Sequence, residues 1–563
     1  MATVNGRVPG REARAGKFDG PSLIPSLHAI QREHGWLPRQ ELVELGRKTR
    51  RPLYEIEGLI TFYPHFRTEP PPRVEVTVCR DLSCWLHGGE QQIAELRERY
   101  GDDLEIELRE VSCIGRCDIA PAATVDEHPV RAAEVPPAVE LVLAGSETDG
   151  EAAPAGSETD GEAAPAVPRR WPNDPYAGED PGAPYATARA MLAGELDPER
   201  VIATLKESGL RGMGGAGFPT GAKWELVAAQ EPEPKYVICN ADESEPGTFK
   251  DRQILIEQPH LVIEGMLIGM LTTGAEQGWV FIRHEYGIEE LAVRAELDRA
   301  RAEGVLGGRL EIDVFTSPGG YILGEESALI ECMEGHRGEP RNKPPFPGVS
   351  GLWGKPTLMN SVETFADVPI IQQRGAQWWK QQGINGGTGL KFFAVSGHIA
   401  KPDVYCVPMG TTARELLELA GGVADSGTLQ AFQPGGSSSN FLGPEQLDVP
   451  LDFKPLADAD SMLGSGAVVV IDDRTDLLAA ATNVLRFFRN ESCGKCVPCR
   501  VGSHKAHAIL AEAIANGLTP DDIDERIDRL EETLRMTSIC GLGQVALGPV
   551  MSVLRRERTG APT

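Results

Sequence analysis

"RVIATLKESGLRGMGGAGFPTGAKW", residues 200–224, decides what kind of nucleotide fold this chain can build. Gly212, Gly214 and Gly217 satisfy the pattern G-x-G-x-x-G letter for letter. In a dinucleotide-binding βαβ unit that pattern follows a strand, so that the turn delivers phosphate to the start of the next helix. Here the preceding residues, "RVIATLKESGL", read as a helix, and a Rossmann unit is excluded. The local physics survives the exclusion. Glycines let backbone N–H groups approach a phosphate, Pro219 opens a helix whose N-terminus faces the anion, and Lys223 adds a cation. On the loop alone, a glycine-rich turn without a ligand explains the residues about as well.

Three later stretches bear on that choice. "CNADESEPGTFKDR", residues 239–252, places Asn240, Asp242 and Glu243 directly after an apolar strand, where polar side chains can grip a ring or a ribose edge. "GGYILGEESALI", residues 319–330, adds a second glycine turn with Tyr321, Glu325 and Glu326. "RNKPPFPGVSGLWGKPTLMNSVET", residues 341–364, combines Lys343, Phe346 and Asn360 with stiff prolines. An aromatic for stacking, carboxylates for ribose hydroxyls and a lysine for phosphate suggest a nucleotide site.

The chain has 11 cysteines. In a reducing compartment, clustered cysteines are metal ligands more often than disulfides. "SCGKCVPCR", residues 492–500, sets Cys493, Cys496 and Cys499 at C-x2-C-x2-C, and the one later cysteine is Cys540. A tight trio plus one remote cysteine is the spacing of a [4Fe–4S] site; zinc, the competing metal, is usually held by two C-x2-C pairs. Cys79-x4-Cys84 and Cys113-x3-Cys117 each follow an expected strand, so two loops can converge at one sheet end. Four thiolates in two pairs suit a [2Fe–2S] cluster, with zinc again the alternative. Cys239, Cys332 and Cys406 read as free buried thiols.

The net charge of −28 argues against a nucleic-acid binder, which needs basic surface to displace counterions. No run of eighteen apolar residues occurs, and "MATVNGRVPGREARAGKFDG" lacks a signal-peptide core, so a cytoplasmic protein without a membrane span is expected. "AGSETDGEAAP" occurs twice in tandem, from Ala144 and from Ala155, without an aromatic or large aliphatic residue. Such a stretch buries too little apolar surface to offset its ordering entropy, and a flexible acidic linker over 144–170 is expected.

The expected fold is therefore multidomain α/β. Residues 1–143 hold a small helical bundle and an α/β unit with the first four cysteines. Residues 171–385 form an α/β domain with the glycine-rich loops, 386–472 a β-grasp module, and 473–563 a helical bundle carrying the second quartet.

At this point the motifs are recognisable. Residues 171–556 resemble the NADH-binding flavoprotein subunit shared by respiratory complex I, NAD-reducing hydrogenases and NAD-dependent formate dehydrogenases. Residues 20–143 resemble its thioredoxin-like [2Fe–2S] partner subunit, "GWLP", "TFYPHF" and the four cysteines included. The resemblance implies an FMN-dependent NADH dehydrogenase (diaphorase) with an SLBB-like β-grasp domain. It implies that Gly212, Gly214, Lys223, Asn240, Asp242, Tyr321, Gly324 and Asn360 hold FMN. Phe218, Glu243, Glu325, Glu326, Lys343 and Phe346 would face NADH, the glutamates disfavouring a 2′-phosphate. It needs no protein nucleophile or acid, because hydride passes between two bound cofactors. Cys79, Cys84, Cys113 and Cys117 would ligate [2Fe–2S], and Cys493, Cys496, Cys499 and Cys540 [4Fe–4S].

Two positions depart from the pattern: Met213 stands where arginine is common and Ser361 where asparagine is frequent. Fusion of the two modules and "ICGLGQ" around Cys540 look closer to formate dehydrogenase β subunits or the hydrogenase diaphorase subunit than to complex I, and the first, with a molybdopterin-type catalytic subunit as partner, is the preferred reading. A hydrogenase diaphorase subunit and the NADH-input subunit of complex I are the alternatives. A zinc-stapled scaffold, the remaining reading, leaves the nucleotide residues unexplained.

Overall fold

Alternation in "VEVTVC" sends Val74, Val76 and Val78 to one buried face. This strand, β1 (Val74–Cys79), pairs parallel with β2 (Ile106–Val111) and antiparallel with β3 (Ala122–Val125), which pairs with β4 (His128–Arg131). Helix Gly89–Tyr100 makes the crossover from β1 to β2 and buries Ile93 and Leu96; helix Val135–Leu143 buries Val135 and Val139. The result is a thioredoxin-like sheet of order β2-β1-β3-β4. Ahead of it, helices Ile24–His34, Arg39–Thr49 and Leu53–Ile60 share a core that continues into Leu323, Leu329 and Met333. This computed structural model describes residues 22–144, 170–177, 184–231, 233–518, 523 and 525–558. All but the first residue of the acidic repeat, and with it the expected linker, lies outside the described residues.

The central sheet is wholly parallel: β5 (Tyr236–Ala241), β6 (Gln277–Arg283), β7 (Glu311–Ser317) and β8 (Thr357–Ser361), in the order β7-β6-β5-β8. Val237, Ile238 and Cys239 are consecutive and all buried, as in a strand covered on both faces. The cover includes helix Pro259–Thr273, which crosses helix Val362–Arg374 very closely. A Cβ on Gly265 would lie 2.1 Å from the carbonyl oxygen of Phe365. Among the described residues no single helix is long and apolar enough to cross a membrane. "RVIATLKESGL" is helical as expected, within Pro198–Ser208. "TLMNS" forms the edge strand β8 inside what reads as a proline-stiffened loop.

The third sheet has the order β10-β9-β12-β11, from β9 (Leu390–Gly397), β10 (Asp403–Pro408), β11 (Leu429–Gln433) and β12 (Ala467–Asp472). Its helix Ala413–Leu419 starts at a capping box of Thr412 and Glu415. A mixed sheet with one such helix is the β-grasp arrangement. Helices Leu477–Asn490, Val497–Ala515, Arg526–Thr537, Gly541–Val545 and Gly548–Arg558 close the chain. The multidomain α/β class expected from the sequence is the one built.

Candidate functional site

A parallel sheet gathers its loops at the carboxyl ends of its strands, where ligands of such sheets bind. Asn240 and Asn360 are the penultimate residues of β5 and β8, one pair apart in register. The loop 211–217 lies over this edge. Its Gly212 N–H donates to the Phe218 carbonyl at 2.9 Å, and Thr220 N to Leu210 at 2.9 Å, closing the turn before helix Thr220–Ala228. Pro219 flanks that helix rather than occupying its first turn. Trp224 Nε1 donates to Asn360 Oδ1 at 3.0 Å, and Asn240 Nδ2 to the Gly324 carbonyl at 2.9 Å. Lys223 donates to the Met359 carbonyl at 3.0 Å, and burial lowers its pKa. A Cβ at Gly215 would meet nothing within 4 Å, so the loop keeps open space at that position. Backbone N–H groups, one partly used lysine and two asparagines fit a flavin mononucleotide. Met213, the first departure, is buried in the core, its N–H donating to Thr364 Oγ1 at 2.9 Å. Ser361, the second, exchanges a hydrogen bond with the same hydroxyl at 2.9 Å.

The expected NADH residues divide into two groups. Lys343 Nζ donates to Glu325 at 2.6 Å and Glu326 at 2.8 Å, and lies 6.0 Å from the Phe346 ring centre. Burial works against its charge, but the two glutamates overcome this and hold its pKa above the usual lysine range. Glu325 also caps helix Glu326–Met333, accepting from Ser327 N and Ala328 N. Phe218 is 51% exposed and Phe346 57%, unusual for phenylalanine and suited to stacking on a ring. Glu243, by contrast, turns inward. Its carboxylate accepts from Asp251 N at 2.9 Å, Arg252 N at 3.1 Å and the Tyr286 hydroxyl at 3.0 Å. Burial, then Asp251, pushes its pKa up to about 7. Asp242 is held by the hydroxyls of Ser244 and Ser317, and burial raises it to about 6. Tyr321 places its hydroxyl 3.3 Å from Ser438 Oγ.

The first cysteine quartet converges as the strand ends require. Cys79 ends β1, Cys84 sits in the short helix Leu82–Leu86, Cys113 follows β2 and Cys117 opens a 3₁₀ turn. All four are buried, with the Cys113 and Cys117 sulfurs 3.5 Å apart. Hydrogen bonds from Cys113 and Cys84 head the causes that raise the Cys79 thiol, so all four thiols crowd one space. Ala122 N points at Cys84 Sγ, 3.3 Å, and Gly115 N at Cys113 Sγ, 3.4 Å. Four buried sulfurs with amide donors fit a [2Fe–2S] group, whose positive irons replace the thiol protons.

Three of the second quartet lie at helix starts, and Cys493 lies in the loop before the first of them. Cys496 flanks Val497–Ala515, Cys499 lies in its first turn, and Cys540 flanks Gly541–Val545. Burial raises Cys499 to about 11 and Cys540 to about 12, while the Leu542 and Gly543 amides point at the Cys540 sulfur. Ser492 Oγ lies 3.2 Å from Cys499 Sγ. This donor set fits [4Fe–4S]. Exposed Val497, Val501, Met536 and Ile539 flank these cysteines in sequence. Of the other cysteines, Cys239 and Cys332 are buried as expected and Cys406 is partly so.

Sequence reading passes over Arg283 and Tyr286, which join the first quartet to the central sheet. Arg283, fully buried at the end of β6, donates to the Cys113 carbonyl at 2.7 Å, the Glu243 carbonyl at 2.5 Å and Glu285 at 2.7 Å. Tyr286 packs under Gly115, which has φ +73°; a Cβ there would meet the Tyr286 hydroxyl at 2.4 Å. "FIRHEYG" carries no spacing that signals this, since both partners come from distant segments.

Fold and site together define an NADH-oxidising module that uses FMN and iron–sulfur clusters. The chain matches the Nuo51 FMN-binding domain over residues 205–370 and the thioredoxin-like [2Fe–2S] ferredoxin over 14–144. It matches the NADH-ubiquinone oxidoreductase-F iron-sulfur binding region over 479–559 and the SLBB domain over 392–441. The F-type subunit of the Aquifex aeolicus NADH-quinone oxidoreductase is 44% identical over 359 residues, 62% of this chain and 82% of that one. NADP-reducing hydrogenase subunit HndC of Solidesulfovibrio fructosivorans is 41% identical over 64% of this chain and 74% of its own. A crystal structure of an air-oxidized NAD⁺-reducing [NiFe]-hydrogenase superposes with a TM-score of 0.84 at 32% identity, covering 96% of this chain and 92% of that one. The chain belongs to the family of F-type subunits of NADH-quinone oxidoreductase, here fused to a thioredoxin-like [2Fe–2S] ferredoxin. Its cofactors are FMN, NADH, one [2Fe–2S] and one [4Fe–4S] cluster.

Proposed function

We propose that this chain is the NAD-linked subunit of a formate dehydrogenase, exchanging electrons between NAD(H) and a molybdopterin-type catalytic subunit in the cytoplasm. The observation that carries the diaphorase part is the juxtaposition of the glycine loop's Lys223 with the Lys343–Glu325–Glu326 cluster, close enough for the Glu326 and Lys343 charges to act on it. Gly212, Gly214, Lys223, Asn240, Asp242, Tyr321, Gly324 and Asn360 hold FMN, which supplies the exchange between two-electron and one-electron chemistry. Phe218 and Phe346 stack on NADH, Lys343 attracts its phosphates, and Glu325 and Glu326 line its ribose side. These residues position the nicotinamide for hydride transfer by proximity alone. Glu243 keeps its carboxylate turned inward and supports the flavin segment through its backbone. The two cysteine quartets ligate the clusters, with Cys540 as the fourth [4Fe–4S] ligand. The exposed apolar residues flanking that cluster suit a protein partner.

Fusion of the two modules and the "ICGLGQ" segment support a formate dehydrogenase or hydrogenase subunit over a complex I one. A hydrogenase partner is the second reading, favoured by the 0.84 TM-score over 96% of the chain. Metal analysis of the native complex separates them. Molybdenum or tungsten beside iron upholds the first, nickel the second, and iron alone a complex I-type role. NADH should exceed NADPH in kcat/KM for dye reduction by at least tenfold, since the carboxylates repel a 2′-phosphate. The HndC relative is named for NADP, so equal values would remove Glu325 and Glu326 as selectors.

A further inference from the structure

Glu491 stands where the two cysteine loops meet. It follows helix Leu477–Asn490 and precedes Cys493 by two residues. Its Oε1 accepts from the hydroxyl of Ser112, the residue before Cys113, at 2.5 Å. Its Oε2 accepts from the backbone N–H of Tyr321 at 2.8 Å. Both oxygens therefore receive hydrogen bonds from neutral donors. Among the described residues no basic side chain forms an ion pair with it. Other carboxylates near this seam have such a partner: Glu285 has Arg283, and Glu289 has Arg116. Glu491 lines a cavity of about 720 Å³ whose wall also includes Ser112, Cys113, Tyr321 and Cys493. One carboxylate without a direct ion pair thus faces both ligand loops through a shared space, whose wall also carries Arg80, Arg109, Arg116 and Arg283.

We propose that Glu491 is a common electrostatic control of the two clusters: its charge lowers both reduction potentials together, while its hydrogen bonds hold the two loops in one frame. This deepens the diaphorase reading and rests on its cluster assignments. Reduction adds one electron to each cluster. A fixed negative charge beside both opposes each addition, and solvent in the cavity limits the effect. Glu491 is a positioning residue, because it touches neither the substrate nor, through its own side chain, the clusters.

The test is an EPR-monitored redox titration of both cluster signals in the full chain and four variants. Glu491→Gln keeps a carbonyl for Tyr321 and an amide for Ser112 but loses the charge. Both midpoint potentials should rise, each equivalent to about tenfold in the reduction equilibrium, or about 59 mV for one electron. Ser112→Ala removes a hydrogen bond and keeps the charge, so both potentials should stay at the wild-type values; Glu491→Asp should also keep them lower than Glu491→Gln does. Asn490→Lys, at an exposed wall position of the same cavity, should raise both potentials and serves if Glu491→Gln does not fold. Unmoved potentials in Glu491→Gln, or in Asn490→Lys where it stands in, a shift in one cluster alone, or an equal shift in Ser112→Ala would each overturn the proposal. Absence of either cluster signal from the wild type would instead sink the cluster assignments beneath it.

Discussion

Gly115 carries a demand that no other residue can meet. Its backbone is left-handed at φ +73°, and its missing side chain leaves room for Tyr286. Gly115→Ala should displace the Cys113–Cys117 loop and abolish the [2Fe–2S] EPR signal while sparing [4Fe–4S]; retention of both at wild-type intensity would contradict the packing described. Cys540→Ala should do the reverse, and an unchanged [4Fe–4S] spectrum would defeat its assignment as fourth ligand. The cysteines are legible in the sequence because metal chemistry restricts both residue type and spacing. Arg283, Tyr286 and Glu491 are not. Apart from Glu285 beside Arg283, their partners lie between 40 and 379 residues away, so only the folded chain gives them meaning. Glu243 illustrates the opposite limit: its motif marks the right segment but not which way its carboxylate turns.

Between elements, the seam of helix Ile24–His34 against the central domain is built on histidine rings. His28 and His65 have ring centres 4.9 Å apart, and His65 and His284 4.3 Å. Burial, then His284 and Arg32, lowers His28 to about 3; burial, then His284 and His28, holds His65 well below its usual value. A histidine with a lowered folded pKa costs nothing above about pH 6.5, where both states are neutral. Below that the unfolded chain takes up protons that the folded seam refuses, so stability falls with pH. At pH 5 the loss from His28 is about 2 kcal/mol, with His65 adding in the same direction. Thermal melts at pH 7.5 and 5 should show this slope, and His28→Gln should flatten it; an identical slope in the variant would exclude the seam as its source. The helix crossing at Gly265 gives a second expectation. Gly265→Ala should lower the melting temperature by several degrees, in line with overpacking costs of roughly 1–3 kcal/mol. The helix before the glycine loop was legible because its apolar period is long. Strand β8 was not: five residues hemmed by Gly354, Pro356 and the next helix carry too little pattern, and pairing with β5 decides them.

Across the whole molecule, the thioredoxin-like module is docked on the rest by contacts spread over all three later domains. Arg116 pairs with Glu289 at 2.9 Å and Asp118 with Arg252 at 2.9 Å. Ser83 meets Ser396 at 2.9 Å, and Arg486 reaches the Arg80 carbonyl at 2.8 Å. A specific protease site engineered into the acidic repeat should therefore yield two fragments that still co-elute at micromolar concentration on gel filtration. Separation of the fragments would show that the seam is too weak to hold without the chain. The fold class could be read from sequence, because cysteine loops and glycine loops punctuate it. The docking could not, since it depends on single side chains from many segments.

That seam has a consequence for how the protein is made and kept. Two modules encoded on one chain are always produced in equal number, so neither accumulates with its cluster-facing surface uncovered. Their association is a first-order event whose extent does not change with expression level. At the millimolar effective concentrations typical of short tethers, a seam of modest intrinsic affinity stays closed even when the protein is diluted far below its free-fragment dissociation constant.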